Sequence, residues 1–241
     1  MNLPRVGLDA YTFRTRLLPA LLVLLPAGLA ALAWFPELQA SWTPILSLVV
    51  ACGGIALLAQ VGRDRGRAKE PMLYASWGGK PTTRLLRHRD APNKVLLARR
   101  HAKLQELLSD VQIPTPVEEQ ADPAKADEVY DACVAFLIEK TRDRQRFPIV
   151  FDENCNYGFR RTLWGLKPIG IAVAAVSAAL VGALIVVTVR VNRADLPALA
   201  VAAGGAHVAM LLAWVLWFTP DWVKATAEAY AERLLGSCDS L

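Results

Sequence analysis

Four apolar runs without Asp, Glu, Lys or Arg dominate this chain. They are residues 17–35 (LLPALLVLLPAGLAALAWF), 42–61 (WTPILSLVVACGGIALLAQV), 169–189 (IGIAVAAVSAALVGALIVVTV) and 196–218 (LPALAVAAGGAHVAMLLAWVLWF). Each is close to the roughly 20 residues a helix needs to cross a bilayer core. In lipid every backbone polar group must be satisfied internally, so only helices or a closed barrel span it. The runs lack the period-two alternation of barrel strands. The expected fold is therefore mostly α: four transmembrane helices, with a small helical cytoplasmic domain between helices 2 and 3. A composition that is 54% hydrophobic agrees.

Lysine and arginine placement sets the expected orientation. The linker at residues 36–41 has neither, and the one at 190–195 has Arg190 and Arg193, whereas residues 62–167 carry twenty. Arg5, Arg14 and Arg16 flank the first run. The N-terminus, the long middle segment and the C-terminus are thus expected on the cytoplasmic side. The expected parts are residues 1–61 (N-terminal segment and helices 1 and 2), 62–167 (cytoplasmic domain), 168–218 (helices 3 and 4) and 219–241 (a C-terminal cytoplasmic helix). The first run could also be read as a signal peptide, with Ala31 and Ala33 as small residues for cleavage. It exceeds the roughly 7–15 apolar residues of a signal core, so an uncleaved span is expected. Cys52, Cys133, Cys155 and Cys238 form no CxxC pair, so neither a disulfide framework nor a zinc site is expected. Alanine-rich helices and short loops suit a bacterial inner membrane.

Charge divides the middle segment sharply. Residues 63–103 hold twelve cations and three acids; residues 106–131 hold eight acids and one cation, Lys125. Asn93 can cap a helix to about Asp110, with Leu97, His101, Leu104 and Leu108 on one face. Asp122 followed by Pro123 is a cap and a first-turn proline, for a helix to about Arg146. Its acids lie near its start and Arg142, Arg144 and Arg146 near its end, as the helix dipole prefers. FPIVF reads as a short extended piece, and WGGKPTTR as a loop. Thr219 and Pro220 open a last helix that ends near Gly236.

Familiar catalytic patterns are missing. WGGK lacks the spacing of a Walker loop, and there is no GxSxG or HExxH. His88, His101 and His207 are scattered. The chain is not expected to be an enzyme or to need a cofactor. The absence of charge in the apolar runs argues against a proton-coupled transporter. Ala174, Ala178 and Gly182, spaced by four, would let helices approach closely. Such helices suit an oligomer around a narrow pore and an ordinary packed bundle equally. His207 could face a pore or make a helix contact.

Three explanations compete for the basic segment. Anionic lipid accounts for Arg63, Arg65, Arg67 and Lys69. Pairing with the acidic half, in this chain or a neighbour, is the second. The third is a nucleotide or oligonucleotide on Arg84, Arg87, Arg89, Lys94, Arg99, Arg100 and Lys103, with Tyr74 and Trp77 near enough in sequence to stack on bases. Between this segment and the third run lies FDENCNYGFRRTLWGLKPIG, in which NYG offers a tight turn. Glu153, Tyr157, Arg160, Arg161 and Trp164 are its candidate coupling elbow; a plain membrane-anchoring turn is the other reading.

The patterns PTTRLLRHRDAPNK, RRHAKL, PTPVEE, TRDRQRF and ENCNYGFRRTLWGLKPIG resemble bacterial four-helix membrane effectors of anti-phage defence, of the kind that serves as channel subunit in a Hailong-type system. The resemblance implies a homotetramer, a pore, an oligonucleotide ligand (single-stranded DNA) and a nucleotidyltransferase partner. The expected function is an oligomeric pore-forming ion channel gated through its cytoplasmic domain. A non-pore membrane scaffold that recruits a cytoplasmic partner is the alternative, and a membrane-bound enzyme a third.

Overall fold

The computed structural model describes residues 9–34, 43–191 and 198–241. Arg5, the linker at 36–41, Trp42, Arg193 and the start of the fourth run lie outside them. The described elements are all helical: α1 (Leu18–Trp34), α2 (Thr43–Ala68), α3 (Glu70–Ser76), α4 (Pro81–Arg84), α5 (Lys94–Leu107), α6 (Pro116–Ala121), α7 (Pro123–Lys140), α8 (Pro148–Val186), α9 (Ala198–Leu216) and α10 (Pro220–Gly236). A short turn, Ala10–Thr12, and a wider π-turn, Phe13–Leu17, lead into α1. Among the described residues two helices are long and apolar enough to cross a membrane, Ala10–Ala31 and Pro148–Arg190. A third joins them if α9 and α10, bent by 66° at a short break, count as one span. These apolar helices suggest a membrane location. Part of the second run is outside the described residues.

The chain divides into an apolar unit (Met1–Lys69 and Gly158–Trp222) and a polar unit (Glu70–Tyr157 and Val223–Leu241). The divisions fall inside α8, after Tyr157, and inside α10, after Trp222.

The apolar unit packs around Val23, Leu163, Leu166, Ala174 and Trp214. Its tightest approach is made by glycines. A Cβ at Gly165 of α8 would lie 2.6 Å from the Gly66 nitrogen and 3.0 Å from the Gly62 carbonyl oxygen of α2. The four-residue spacing of Gly62 and Gly66 puts both on one face of α2, so the two backbones meet with no side chain between them. A Cβ at Gly170 would lie 2.5 Å from the Trp214 ring. Of the alanine and glycine stripe read from the sequence, Ala174 is buried, but a Cβ at Gly182 would meet no other element within 4 Å among the described residues. Proline sits inside two of these helices, Pro26 in α1 and Pro168 in α8. Proline removes an N–H and strands the carbonyl four residues back. For Pro168 that is the Trp164 carbonyl, which accepts a hydrogen bond from Lys69 Nζ at 3.4 Å.

The polar unit packs around Leu86, Leu104, Tyr130, Cys133, Leu137, Phe147, Leu234 and Leu235. The Asn93 side chain caps α5 by accepting from the Leu96 N–H at 3.0 Å. Thr115 and Glu118 close a capping box on α6, and Asp122 caps α7 through the Lys125 N–H at 3.1 Å. Three expectations need correction. Within WGGKPTTR only the first part is loop, since Pro81–Arg84 form the short helix α4, with proline in its first turn. α7 ends at Lys140 rather than near Arg146. The Asp143 carboxylate accepts from the Gln145 and Arg146 N–H groups, at 2.9 and 3.3 Å, and turns the chain there. FPIVF is not extended: Pro148 is the first residue of α8, a position that proline favours.

Candidate functional site

The polar unit is held by charge. Acids from α10, from the tail that follows it and from residues 90–127 meet the basic segment, and every one of the seven candidate ligand cations has a partner. Arg84 pairs with Glu228 of α10 at 3.6 Å, Arg100 with Glu232 at 2.6 Å and Arg99 with Asp239 at 3.1 Å. Lys103 pairs with Glu106 at 3.2 Å, and Lys94 donates to the His88 carbonyl. Arg89 reaches Glu119 at 3.2 Å.

Arg87 is the centre of this network. Its Nε and Nη2 form a fork on Asp127 at 2.7 and 2.5 Å. Its Nη1 donates to Asp90 at 2.9 Å and to the Gly78 carbonyl at 2.7 Å. Hydrogen bonding to Asp127 raises the Arg87 pKa, against the opposing effect of burial. Gly78 and Gly79 have φ of 80° and 130°, a region that favours glycine. This lets the loop pass close to the guanidinium: a Cβ at Gly79 would lie 2.8 Å from Arg87 Nη2.

Glu119 is the second centre, and sequence reading passed over it. It is only 3% exposed. Its carboxylate accepts from the His88 N–H at 2.7 Å, the Arg89 N–H at 3.2 Å and the Tyr130 hydroxyl at 2.8 Å. Burial would raise its pKa, but these donors and the Arg89 charge outweigh that and lower it. Tyr130 is pushed up, first by burial and then by the Glu119 carboxylate. The two histidines that looked scattered meet here. His88 and His101 rings lie edge to face at 4.8 Å, and His101 stacks on Tyr130 at 5.7 Å. Burial lowers the His101 pKa, only partly opposed by its contact with the Leu86 carbonyl. The signal was available: Glu118 completes a capping box, which turns the next residue, Glu119, toward the core.

Beside the network lies a cleft of about 310 Å³ lined by Tyr74, Tyr157, Tyr230, Lys80, Asp131 and Ile138, among others. Asp131 takes the Lys80 ammonium and the Thr83 hydroxyl, the latter at 2.6 Å. The Tyr157 hydroxyl donates to Glu70 at 2.7 Å and contacts the Tyr74 hydroxyl at 3.0 Å. Trp77 is buried rather than presented for stacking.

The expected elbow is corrected. Glu153, Tyr157, Arg160, Arg161 and Trp164 all lie within the unbroken helix α8. NYG makes no turn because Gly158 serves packing: a Cβ there would meet Thr15 at 3.0 Å. Glu153 touches Asn156 at 3.4 Å. Arg160 donates to the Trp222 carbonyl at 2.7 Å and lies over the Trp222 ring at 4.6 Å. Trp164 carries Lys69 over its face at 4.5 Å.

His207 makes a helix contact in the apolar unit. Its Nε2 lies 2.9 Å from the Pro26 carbonyl of α1 and its Nδ1 2.7 Å from the Ala203 carbonyl. Among the described residues no group of three or more His, Cys, Asp or Glu could hold a metal ion. No protein-family model, curated protein or solved structure matches the chain.

Proposed function

We propose that the chain is an oligomeric membrane effector whose apolar helices form an ion-conducting pore, with a nucleotide or oligonucleotide as the controlling ligand. The observation that carries the gating is the set of ion pairs holding α10: Arg84–Glu228, Arg100–Glu232 and Arg99–Asp239. Carboxylate and phosphate are interchangeable partners for a guanidinium fork. A polyanion that takes Arg84, Arg99 and Arg100 displaces three carboxylates at once and releases α10, the helix that directly follows α9. On this reading the basic residues are both the latch and the ligand site. The resemblance to anti-phage effectors adds a bacterial inner membrane, a tetramer and a nucleotidyltransferase that makes the ligand. Uncovered apolar side chains on α8 (Val176, Leu180, Val186) and α9 (Val201, Val208, Leu212) leave surface for lipid and further copies.

Planar-bilayer recording of the purified chain tests this. Unitary current steps that change on adding a short single-stranded DNA are expected, and Glu232→Gln should shift the ligand concentration needed. A silent bilayer, with the protein shown to be inserted, removes the pore. The completeness of the internal pairing favours a second reading, a membrane scaffold whose ion pairs are a permanent brace. It predicts that Glu228→Gln/Glu232→Gln alters partner recruitment and never conductance.

A further inference from the structure

Five cations of the apolar unit stand together without a carboxylate partner among the described residues. Arg63, Arg65 and Arg67 end α2, Lys69 follows, and Lys167 lies on α8 just before its apolar run. Among the described residues none of the five makes an ion pair. The nearby Asp64 is turned to Gln60, at 3.2 Å.

Their donors go to neutral groups. Lys69 donates to the Trp164 carbonyl stranded by Pro168 and covers the Trp164 ring. Lys167 donates to the Val215 and Phe218 carbonyls, each at 2.9 Å, at the end of α9 and just beyond it. Arg63 Nε is buried with no hydrogen-bond partner. A carbonyl satisfies an N–H without cancelling its charge. The ammonium of Lys69 is accordingly disfavoured, first by burial, then by Arg65, then by Lys167. Arg65 and Lys69 are one helical turn apart, the Lys69 N–H donating to the Arg65 carbonyl at 3.2 Å, and the partner that suits such a group of cations is an anion.

The setting identifies that anion. The cluster stands where the apolar run of α2 has ended and that of α8 is about to begin, beside a tryptophan. That is the sequence pattern of a membrane interface, where tryptophan and lysine meet headgroups. We propose that Arg65, Lys69 and Lys167, beside Trp164, bind the phosphate of an anionic phospholipid headgroup. Lysine and arginine near a membrane surface favour anionic lipid in this way. The site does not depend on whether the chain conducts ions.

Native mass spectrometry of the full chain in neutral detergent tests it, with phosphatidylglycerol, phosphatidylcholine and inorganic phosphate as the probes. Phosphatidylglycerol should bind more tightly than phosphatidylcholine. Arg65→Gln/Lys69→Gln should weaken phosphatidylglycerol by about thirtyfold and leave phosphatidylcholine unchanged. The charge-conserving Arg65→Lys/Lys69→Arg pair should keep the preference, which separates lost charge from lost fold. Raising salt should erase the preference in the unsubstituted chain. An undiminished preference in the glutamine pair overturns the proposal, as does a salt-independent one. Displacement of the lipid by inorganic phosphate at equal concentration overturns the lipid assignment and makes the site one for soluble phosphate.

Discussion

Arg87 and Arg100 of the polar unit meet carboxylates; Lys69 and Lys167 of the apolar unit meet carbonyl oxygens, and Lys69 a ring face as well. Arg87 and Arg100 are nearly as buried as core leucines, and each is tied to an acid of the same unit. Lys69 and Lys167 are tied to main-chain oxygens left over by a proline and a helix end. The difference teaches where specificity resides. Buried ion pairs are poor sources of net stability, because desolvation consumes most of the Coulomb gain, but breaking one is costly. The polar unit is therefore held in one arrangement by what it would lose. The apolar unit is held by contact of backbones and rings, and Lys69 and Lys167 meet no carboxylate there.

The sharpest way to break this comparison is to remove Glu119. Glu119→Leu strands the Tyr130 hydroxyl and two N–H groups, at a cost of about 3 kcal/mol. Urea unfolding in detergent reads it, and a cost below about 1 kcal/mol means that carboxylates do not hold the polar unit. Gly165→Ala asks the same of the apolar unit. Its Cβ would press on the Gly66 backbone, so a loss of about 2 kcal/mol is expected. A neutral result would show that α2 and α8 can separate freely. A double-mutant cycle on Arg100→Gln and Glu232→Gln should return a coupling of about 1 kcal/mol, against none for Arg65→Gln with Glu232→Gln.

Acid sharpens the contrast. The pKa of His101 is lowered by folding, so the unfolded chain binds its proton first. Stability should begin to fall below about pH 6.5, the ordinary histidine value. Glu119, also lowered, contributes stability above the ordinary carboxylate range and loses it as pH falls through its own lower value. Unfolding midpoints across pH 4 to 8 check this, and His101→Gln should flatten the upper part of the profile. The smallest effect belongs to Lys103→Gln, whose surface pair with Glu106 is worth less than about 0.5 kcal/mol.

Local signals were legible where one residue decides the outcome. Asn93, Asp122 and the Thr219–Pro220 step each mark a helix start in the sequence, and each helix begins there. The charge division of residues 63–131 showed that pairing was available. It could not show which acids are used, because Glu228, Glu232 and Asp239 come from the far end of the chain. NYG misled because glycine has two uses. It relieves backbone strain in a turn, and it removes a side chain where helices touch; Gly158 and Gly165 are of the second kind. Pro168 stands inside a helix, where Lys69 takes the carbonyl that it strands.

The polar unit is assembled from two stretches, residues 70–157 and 223–241, and Leu234, Leu235 and Cys238 complete its core. This imposes an order on biogenesis. A ribosome adds roughly 5–20 residues per second, so about 4 to 17 s separate the synthesis of Tyr157 from that of Leu241. Throughout that interval Arg84, Arg99 and Arg100 have no acids of α10 to meet. The apolar part of α8 and all of α9 are translated within it, before the acids of residues 223–241 exist. A nascent chain therefore carries Arg84, Arg99 and Arg100 without these acids once, early in life, and pairs them when residues 223–241 have followed.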